Sequence, residues 1–297
     1  MKKHALKEWL FAVRPWSFPA SAMPVVVTLA YLHWTQQEVN WLMGVWALLN
    51  IIVFHAAGNT WSDYYDYKRG VDREDTHGAT TLTGGMFQPQ EIKRLALGLL
   101  IVALAGGIAL MWLTGLPLLY VGGAGLLLTV FYPWLKYHAL GDADIFLTYS
   151  VLPMLGTSFV ATGTFCYDTL WLTVPVGLIT VGILHANNTR DMEHDGRARI
   201  KTFAMLMGKQ ASVYGYCFEV LFPFVWVLGC AVGGLFPWWV LLVLLALLPA
   251  GGNVRMMLRY PKQGIEAISG LDELTAKLQL MFGLLFALSF FVASWVR

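Results

Sequence analysis

Apolar residues occur in long unbroken runs along this chain, with neither the strict alternation of a strand nor the single apolar stripe of a soluble helix. A helix needs about 20 mostly apolar residues to cross a bilayer core. Nine charge-poor runs of that order follow one another, at residues 16–34, 41–58, 95–113, 117–135, 143–162, 171–186, 213–235, 237–256 and 278–296. They predict an all-α integral membrane protein in which nine transmembrane helices form one domain over residues 1–297. The first run follows a basic tail but has no small-residue cleavage site, so it reads as a retained helix rather than a signal peptide.

Composition agrees with the pattern. The chain is 57% hydrophobic and 13% charged, whereas a soluble domain carries about a quarter charged residues. A soluble enzyme and a disordered chain are both excluded. Cys166, Cys217 and Cys230 form no CxxC pair, which removes a disulfide scaffold and a soft-metal site. A net charge of +2 gives no reason to expect nucleic acid.

The placement of charge is more informative than its sum. With nine spans and the N-terminus inside, 19 of the 20 Lys and Arg residues fall in segments on one side, and only Arg297 falls on the other. Positive residues stay cytoplasmic, so the expected location is the cell (inner) membrane with the N-terminus and the polar segments toward the cytoplasm.

Two of those segments are unusually rich in charge. The second span runs into Asn59, Asp63, Asp66, Asp72, Glu74 and Asp75, and the sixth runs into Asn187, Asn188, Arg190, Asp191, Glu193 and Asp195. Asn59 and Asp63 are four apart, as are Asn187 and Asp191, which puts an amide and a carboxylate on one helix face in each case. The 128-residue offset between the pairs, four spans apart, predicts two related four-helix halves plus one further helix around a central cavity. Clustered carboxylates repel unless a cation sits among them. Hard oxygen donors favour Mg²⁺, whose shell is usually completed by substrate phosphate. Lys68, Arg69, Arg190 and Lys201 stand interleaved with the acids to take further phosphate charge.

At these residues the chain resembles the UbiA superfamily of intramembrane prenyltransferases. The segment from Asn59 through Asp63 and Asp66 to Gly70 and Asp72 is similar to the family's first aspartate-rich motif. Asn187, Asn188, Arg190, Asp191 and Asp195, followed by Lys201 and Thr202, resemble the second. Tyr132, Pro133 and Lys136 resemble the segment that helps hold the diphosphate, and Arg14-Pro15 fits the family's opening. The form of both motifs looks most like the 1,4-dihydroxy-2-naphthoate polyprenyltransferases of menaquinone synthesis. Ser62 departs from that form, where a second Asn is common, and Thr80 to Gly85 lacks the Arg-Pro-x-x-Ser-Gly loop of the 4-hydroxybenzoate enzymes.

The resemblance implies Mg²⁺-dependent transfer of a polyprenyl chain from its diphosphate to an aromatic acceptor. It implies metal binding by Asn59, Asp63, Asp66, Asp191 and Asp195. Substrate contact falls to Arg14, Lys68, Tyr132, Lys136, Asn187, Arg190 and Lys201, and Asp63, Asp191 and Lys136 are the catalytic groups. Trp112, Phe131, Trp134 and Phe146 are candidates to line the path of an allylic cation. His55, His185 and His194 lie near the motifs either as acceptor-binding groups or as packed polar residues. Two other readings carry the same features: a prenyltransferase acting on another aromatic or a glycerol phosphate lipid, and a cation-coupled transporter. A transporter places its polar site near the bilayer midplane, whereas these clusters end their spans. Nothing in the pattern specifies an oligomeric state.

Overall fold

A computed structural model describes residues 4–73, 80–198 and 200–296. Glu74 and Asp75 lie outside the described residues. Among the described residues there is no β-strand, and the chain is a succession of helices: α1 (Leu6–Val13), α2 (Pro19–Trp34), α3 (Trp41–Arg69), α4 (Pro89–Thr114), α5 (Leu118–Tyr137), α6 (Gly141–Thr162), α7 (Tyr167–Arg190), α8 (Phe203–Val232), α9 (Trp238–Gln263) and α10 (Leu271–Trp295). Eight helices from α3 onward are long and apolar enough to cross a membrane. The ninth span is the bent pair Leu6–Ser17 and Pro19–Trp34, which meet at 55°. The nine expected runs therefore all find a helix.

Where the helices differ from the apolar runs, they are mostly longer. α3 continues to Arg69, 11 residues beyond the end of the run at Gly58, and α7 continues to Arg190. A hydropathy scan stops at the first charge, but Asp, Lys and Arg remain compatible with helical backbone, so both polar motifs ride on unbroken extensions of their spans. Three spans also depart from α geometry. α6 contains a π-helical turn at Leu147–Val151, α9 opens as a 3-10 helix over Trp238–Ala246, and α8 breaks at Gly208, whose φ of 77° only glycine adopts without strain.

Helix packing follows membrane rules, with small residues and interlocked side chains at the contacts. Gly283 lets α10 approach α2, because a Cβ there would lie 2.7 Å from Met23 Cγ. Phe282, Phe286 and Phe290, one turn apart on α10, are buried in the largest core cluster with Phe224, Phe236 and Tyr31. That cluster joins α2, α7, α8, α9 and α10. α4 and α5 contribute few buried residues and present Trp112, Tyr120 and Leu127 outward, as lipid-facing helices do.

Both motif helices end in structures that turn carboxylates inward. Gly70 adopts φ 70° and caps α3, with its N–H bonded to Tyr67 O at 3.0 Å. Val71 N–H follows to Asp66 O at 2.9 Å, and this reversal brings Asp72 back beside the helix end. At the other motif Asp191 caps α7, and the single turn Met192–Arg197 carries Asp195. The Lys201 backbone N–H then bonds Tyr137 O at 3.1 Å, tying the segment after α7 to the end of α5.

Candidate active site

The polar residues of α3, α5, α6, α7 and α10 converge on one cavity of about 290 Å³. On α3 the stripe His55, Asn59, Ser62, Asp63 and Asp66 repeats at three- and four-residue spacing, so one face carries all of it. On α7, Thr180, Leu184, Asn187 and Asp191 do the same. α5 adds Thr129, Tyr132 and Lys136, and α6 adds Asp144 and Tyr149. Asp72, His194 and Asp195 line it from the segments after the motif helices. The two aspartate motifs therefore face one another, as their spacing predicts.

The cavity is strongly acidic. Among the described residues, eight carboxylates line it (Asp63, Asp66, Asp72, Asp144, Asp191, Asp195, Asp272 and Glu273), against the two full cations Arg14 and Lys136. Arg14 pairs with Asp63 from the left-handed residue that joins α1 to the Pro15–Ser17 turn. Lys136 Nζ donates to Asp66 Oδ2 at 3.1 Å, and the Tyr137 hydroxyl donates to Asp66 Oδ1 at 2.5 Å. Ser62 Oγ adds a contact to Asp66 at 3.3 Å, so the residue that departs from the naphthoate form still serves the motif. Asn59 spends its amide N–H groups on Val13 O and Ser17 Oγ, at 3.1 and 3.0 Å, so its carbonyl oxygen is the atom it can offer to a cation. On the opposite wall the Arg190 guanidinium grips Asp191 with two 2.9 Å bonds, reaches Asp272 at 3.1 Å and bonds Asn187.

Two carboxyls outside the spans are shifted. Burial, with Asp66 adding to it, pushes Asp72 up to about 7. Burial pushes Asp195 up to about 6, against the opposing pull of Lys136 and with Asp191 raising it further. The cavity is short of positive charge at neutral pH.

The donor set suits Mg²⁺. The donors the two motifs turn into the cavity are carboxylate and amide oxygens, and Asp63 Oδ2 is buried without a hydrogen-bond partner, as are Asp144 Oδ1 and Asp272 Oδ1. These are the atoms a hard cation satisfies.

Several expected site residues stand elsewhere. Lys68 is exposed and lies 6.0 Å over the Tyr64 ring. Two residues beyond Asp66 is about 200° around the helix, so Lys68 faces away from the cavity. Lys201 is also exposed, held by its backbone rather than aimed inward. Arg190 is buried but committed to Asp191, Asn187 and Asp272, so it orients the second motif instead of lining the cavity. The expected aromatic lining is corrected as well: Trp112, Phe131 and Trp134 are 82%, 55% and 50% exposed on the outer surface, and Phe146 packs against α7 at Gly177. The rings on the cavity wall are Trp16, Tyr132 and Tyr149. On α5, Tyr132 and Lys136 share a face with Thr129, which turns Phe131 and Trp134 toward lipid.

Asp144, Tyr149, Asp272 and Glu273 also line the cavity, although they lie outside both aspartate motifs. Asp144 and Asp272 sit in the first turns of α6 and α10, where acids are common at helix N-termini whatever their function.

A second cavity of about 350 Å³ lies behind the first, between α3, α4, α5 and α6. It is lined mainly by apolar groups such as Phe54, Leu104, Met111, Leu126 and Val160, with Gly107, Gly122 and Gly123 leaving room on its wall. His55, Thr129, Thr148 and Tyr149 border both cavities. His55 is fixed there by Ser21 Oγ at 2.9 Å.

Comparison with known families decides the assignment. Residues 21–268 match the UbiA prenyltransferase family. The chain belongs to this family. As a UbiA member it is a prenyltransferase. UbiA prenyltransferase domain-containing protein 1 of Mus musculus is 29% identical over 98% of this chain and 86% of its own length. The Rattus norvegicus protein is 30% identical over 96% and 83%. The Xenopus tropicalis protein is 34% identical over 75% of this chain, a match that spans 66% of the relative. These names give the family and no acceptor. Two solved structures share the UbiA fold. A homologue from Archaeoglobus fulgidus bound to GPP and Mg²⁺ has a TM-score of 0.64 at 13% identity, covering 96% of this chain and 99% of that one. A digeranylgeranylglyceryl phosphate synthase has 0.63 at 19%, covering 96% and 98%.

Proposed function

We propose that this UbiA member transfers a polyprenyl chain from polyprenyl diphosphate to an aromatic acceptor, 1,4-dihydroxy-2-naphthoate, at the cytoplasmic side of the cell membrane. The observation that carries the reading is the junction of the two cavities at His55, Thr129, Thr148 and Tyr149. One side offers oxygen ligands and cations for a diphosphate; the other offers an apolar, lipid-depth space for its tail. A prenyl tail gains about 0.8 kcal/mol per CH₂ removed from water, so keeping it in the second cavity while its head enters the first costs little.

Asn59, Asp63, Asp66, Asp191 and Asp195 would hold Mg²⁺ in this arrangement. When bound, the ion supplies positive charge against the negative charge that develops on the leaving diphosphate. The residues of the chain do the rest. Arg14 meets the diphosphate from the turn before α2, and the Lys136 ammonium and Tyr132 hydroxyl donate to it from α5. Arg190 keeps the Asp191 carboxylate oriented while Asp272 anchors Arg190 from α10. As the allylic C–O bond breaks, the ring faces of Tyr149 and Trp16 stabilise the cationic carbon. The electron-rich ring carbon of the acceptor then forms the new C–C bond. For the naphthoate this proceeds with loss of its carboxylate as CO₂. The form of the two aspartate motifs favours that acceptor.

Purified protein in lipid nanodiscs, given one prenyl diphosphate and a panel of acceptors with and without Mg²⁺, tests the reading by mass spectrometry. A prenylated naphthoquinol formed only with Mg²⁺ supports it. A product on another aromatic, or on a glycerol phosphate lipid, would keep the transferase and replace the acceptor.

A further inference from the structure

A separate constellation lies behind the second motif. Asp142 at the start of α6, His185 on α7 and Glu219 on α8 each bring one potential ligand atom to within 4.8 Å of the other two. His185 Nδ1 is 2.8 Å from Glu219 Oε1 and 3.8 Å from Asp142 Oδ2. His185 has no exposed surface, and the Asp142 and Glu219 side chains are about nine-tenths buried. None of the three belongs to the aspartate motifs or takes part in the transfer described above.

The carboxylates are incompletely satisfied. Both oxygens of Asp142 and Oε2 of Glu219 are buried without a hydrogen bond of normal geometry, and Asn188 gives Asp142 only a partial amide contact. An imidazolium offsets one of two buried carboxylates and leaves the other uncompensated, a costly arrangement in the interior of a membrane protein. A divalent cation bound by a neutral imidazole and two carboxylates brings the formal charge to zero and gives the unpaired Asp142 carboxylate a partner.

The surroundings of the imidazole suit a metal ligand. His185 Nε2 is 2.8 Å from Ser212 Oγ, which is 2.5 Å from Thr189 Oγ. A hydrogen bond from Nε2–H to Ser212 fixes the ring and leaves the Nδ1 lone pair facing both carboxylates, the usual outer support of a metal-bound histidine. Ligands about 2.0–2.1 Å from a tetrahedral zinc ion stand about 3.3 Å apart, and the 2.8 and 3.8 Å separations straddle that value. One nitrogen with two oxygens favours a borderline transition metal over Mg²⁺. Asn188 also lines the acidic cavity, which provides a route of entry.

We propose that Asp142, His185 and Glu219 bind a divalent transition-metal ion of the zinc class, distinct from the Mg²⁺ of the aspartate motifs, that pins α6, α7 and α8 together beneath the second motif. Tag-free protein in detergent, equilibrated with ZnCl₂ and dialysed into chelator-free Mg²⁺ buffer, is assayed by elemental analysis. The expected result is one zinc per chain in the wild type and in Asp63→Asn, and none in His185→Gln or Glu219→Gln. Ser212→Ala keeps all three ligands and is expected to weaken zinc binding about 10-fold. Cobalt-loaded wild type should show the intense visible bands of a four-coordinate site, a reading that does not depend on the variants folding. A wild type that retains no zinc, zinc retained by both ligand variants, or cobalt bands of an octahedral all-oxygen site would overturn the proposal.

Discussion

Lys136 Nζ stands 3.1 Å from Asp66 Oδ2, an ion pair that joins α5 to the first aspartate motif across 70 residues of sequence. Both side chains line the acidic cavity. The lysine thus holds a carboxylate in place and remains the nearest ammonium to an incoming diphosphate. Lys136→Met is expected to lower kcat by about 10²–10³, the usual cost of removing one preorganised electrostatic partner from developing charge. Lys136→Arg should recover part of that loss. Steady-state turnover of both variants checks this, and near-wild-type turnover in Lys136→Met would remove the lysine from the site.

Asp63 and Asp191 each neutralise a buried or half-buried arginine, Arg14 and Arg190. Asp63→Ala removes the carboxylate paired with Arg14, a loss that costs about 3–5 kcal/mol where such a pair is fully buried, whereas Asp191→Ala leaves Arg190 its second carboxylate partner, Asp272. Asparagine keeps the shape and one acceptor oxygen. Asp63→Asn and Asp191→Asn are therefore expected to retain a near-wild-type Tm while losing Mg²⁺-dependent turnover, whereas the alanine variants also lose stability, Asp63→Ala more than Asp191→Ala. Thermal melts in detergent beside turnover assays separate the two effects.

The raised carboxyls give a pH dependence with a definite sign. Asp72 at about 7 and Asp195 at about 6 hold protons in the folded protein at a pH where an unfolded chain has released them. The folded state then binds more protons than the unfolded one, so metal-free stability falls as pH rises from the ordinary carboxylate range through 6 to 7. Mg²⁺ opposes this by favouring the ionised forms. The increase in Tm on adding Mg²⁺ should be larger at pH 7.5 than at pH 5.5, and the apparent Mg²⁺ affinity should weaken with acid. A Mg²⁺ effect on Tm that is flat with pH would contradict the placement of Asp195 in the metal site and of Asp72 beside it.

Gly123 lies on the wall of the apolar cavity, and a Cβ there meets nothing within 4 Å. Gly123→Leu improves helix propensity and fills space otherwise available to a prenyl tail. Long prenyl diphosphates should lose kcat/KM by at least about tenfold relative to geranyl diphosphate, since each displaced CH₂ forfeits about 0.8 kcal/mol of transfer. Equal losses for short and long donors would place the tail elsewhere.

Much of this architecture was legible in the amino-acid order. Long apolar runs and one-sided Lys and Arg account for the spans because the bilayer imposes both constraints directly. The facing of the motifs followed from the four-residue spacing of Asn59 with Asp63 and of Asn187 with Asp191. The positions of single side chains were less accessible. Lys68 and Lys201 have the right charge beside the right motifs, yet helix phase and a backbone tether turn them outward. Asp144, Asp272 and Tyr149 enter the site only through contacts between distant helices. His185 and Glu219 are 34 residues apart on separate spans, and nothing local marks them as partners.

The central claim is that the two aspartate motifs jointly hold divalent metal against a prenyl diphosphate. Anomalous diffraction from crystals soaked with Mn²⁺ and a non-reactive prenyl thiodiphosphate tests it most directly. Metal peaks between Asp63 or Asp66 and Asp191 or Asp195, with the diphosphate analogue reaching Arg14 and Lys136 and its tail entering the cavity beside Tyr149, are the expected result. Metal and analogue bound away from both motifs, or held by one motif alone, would contradict it.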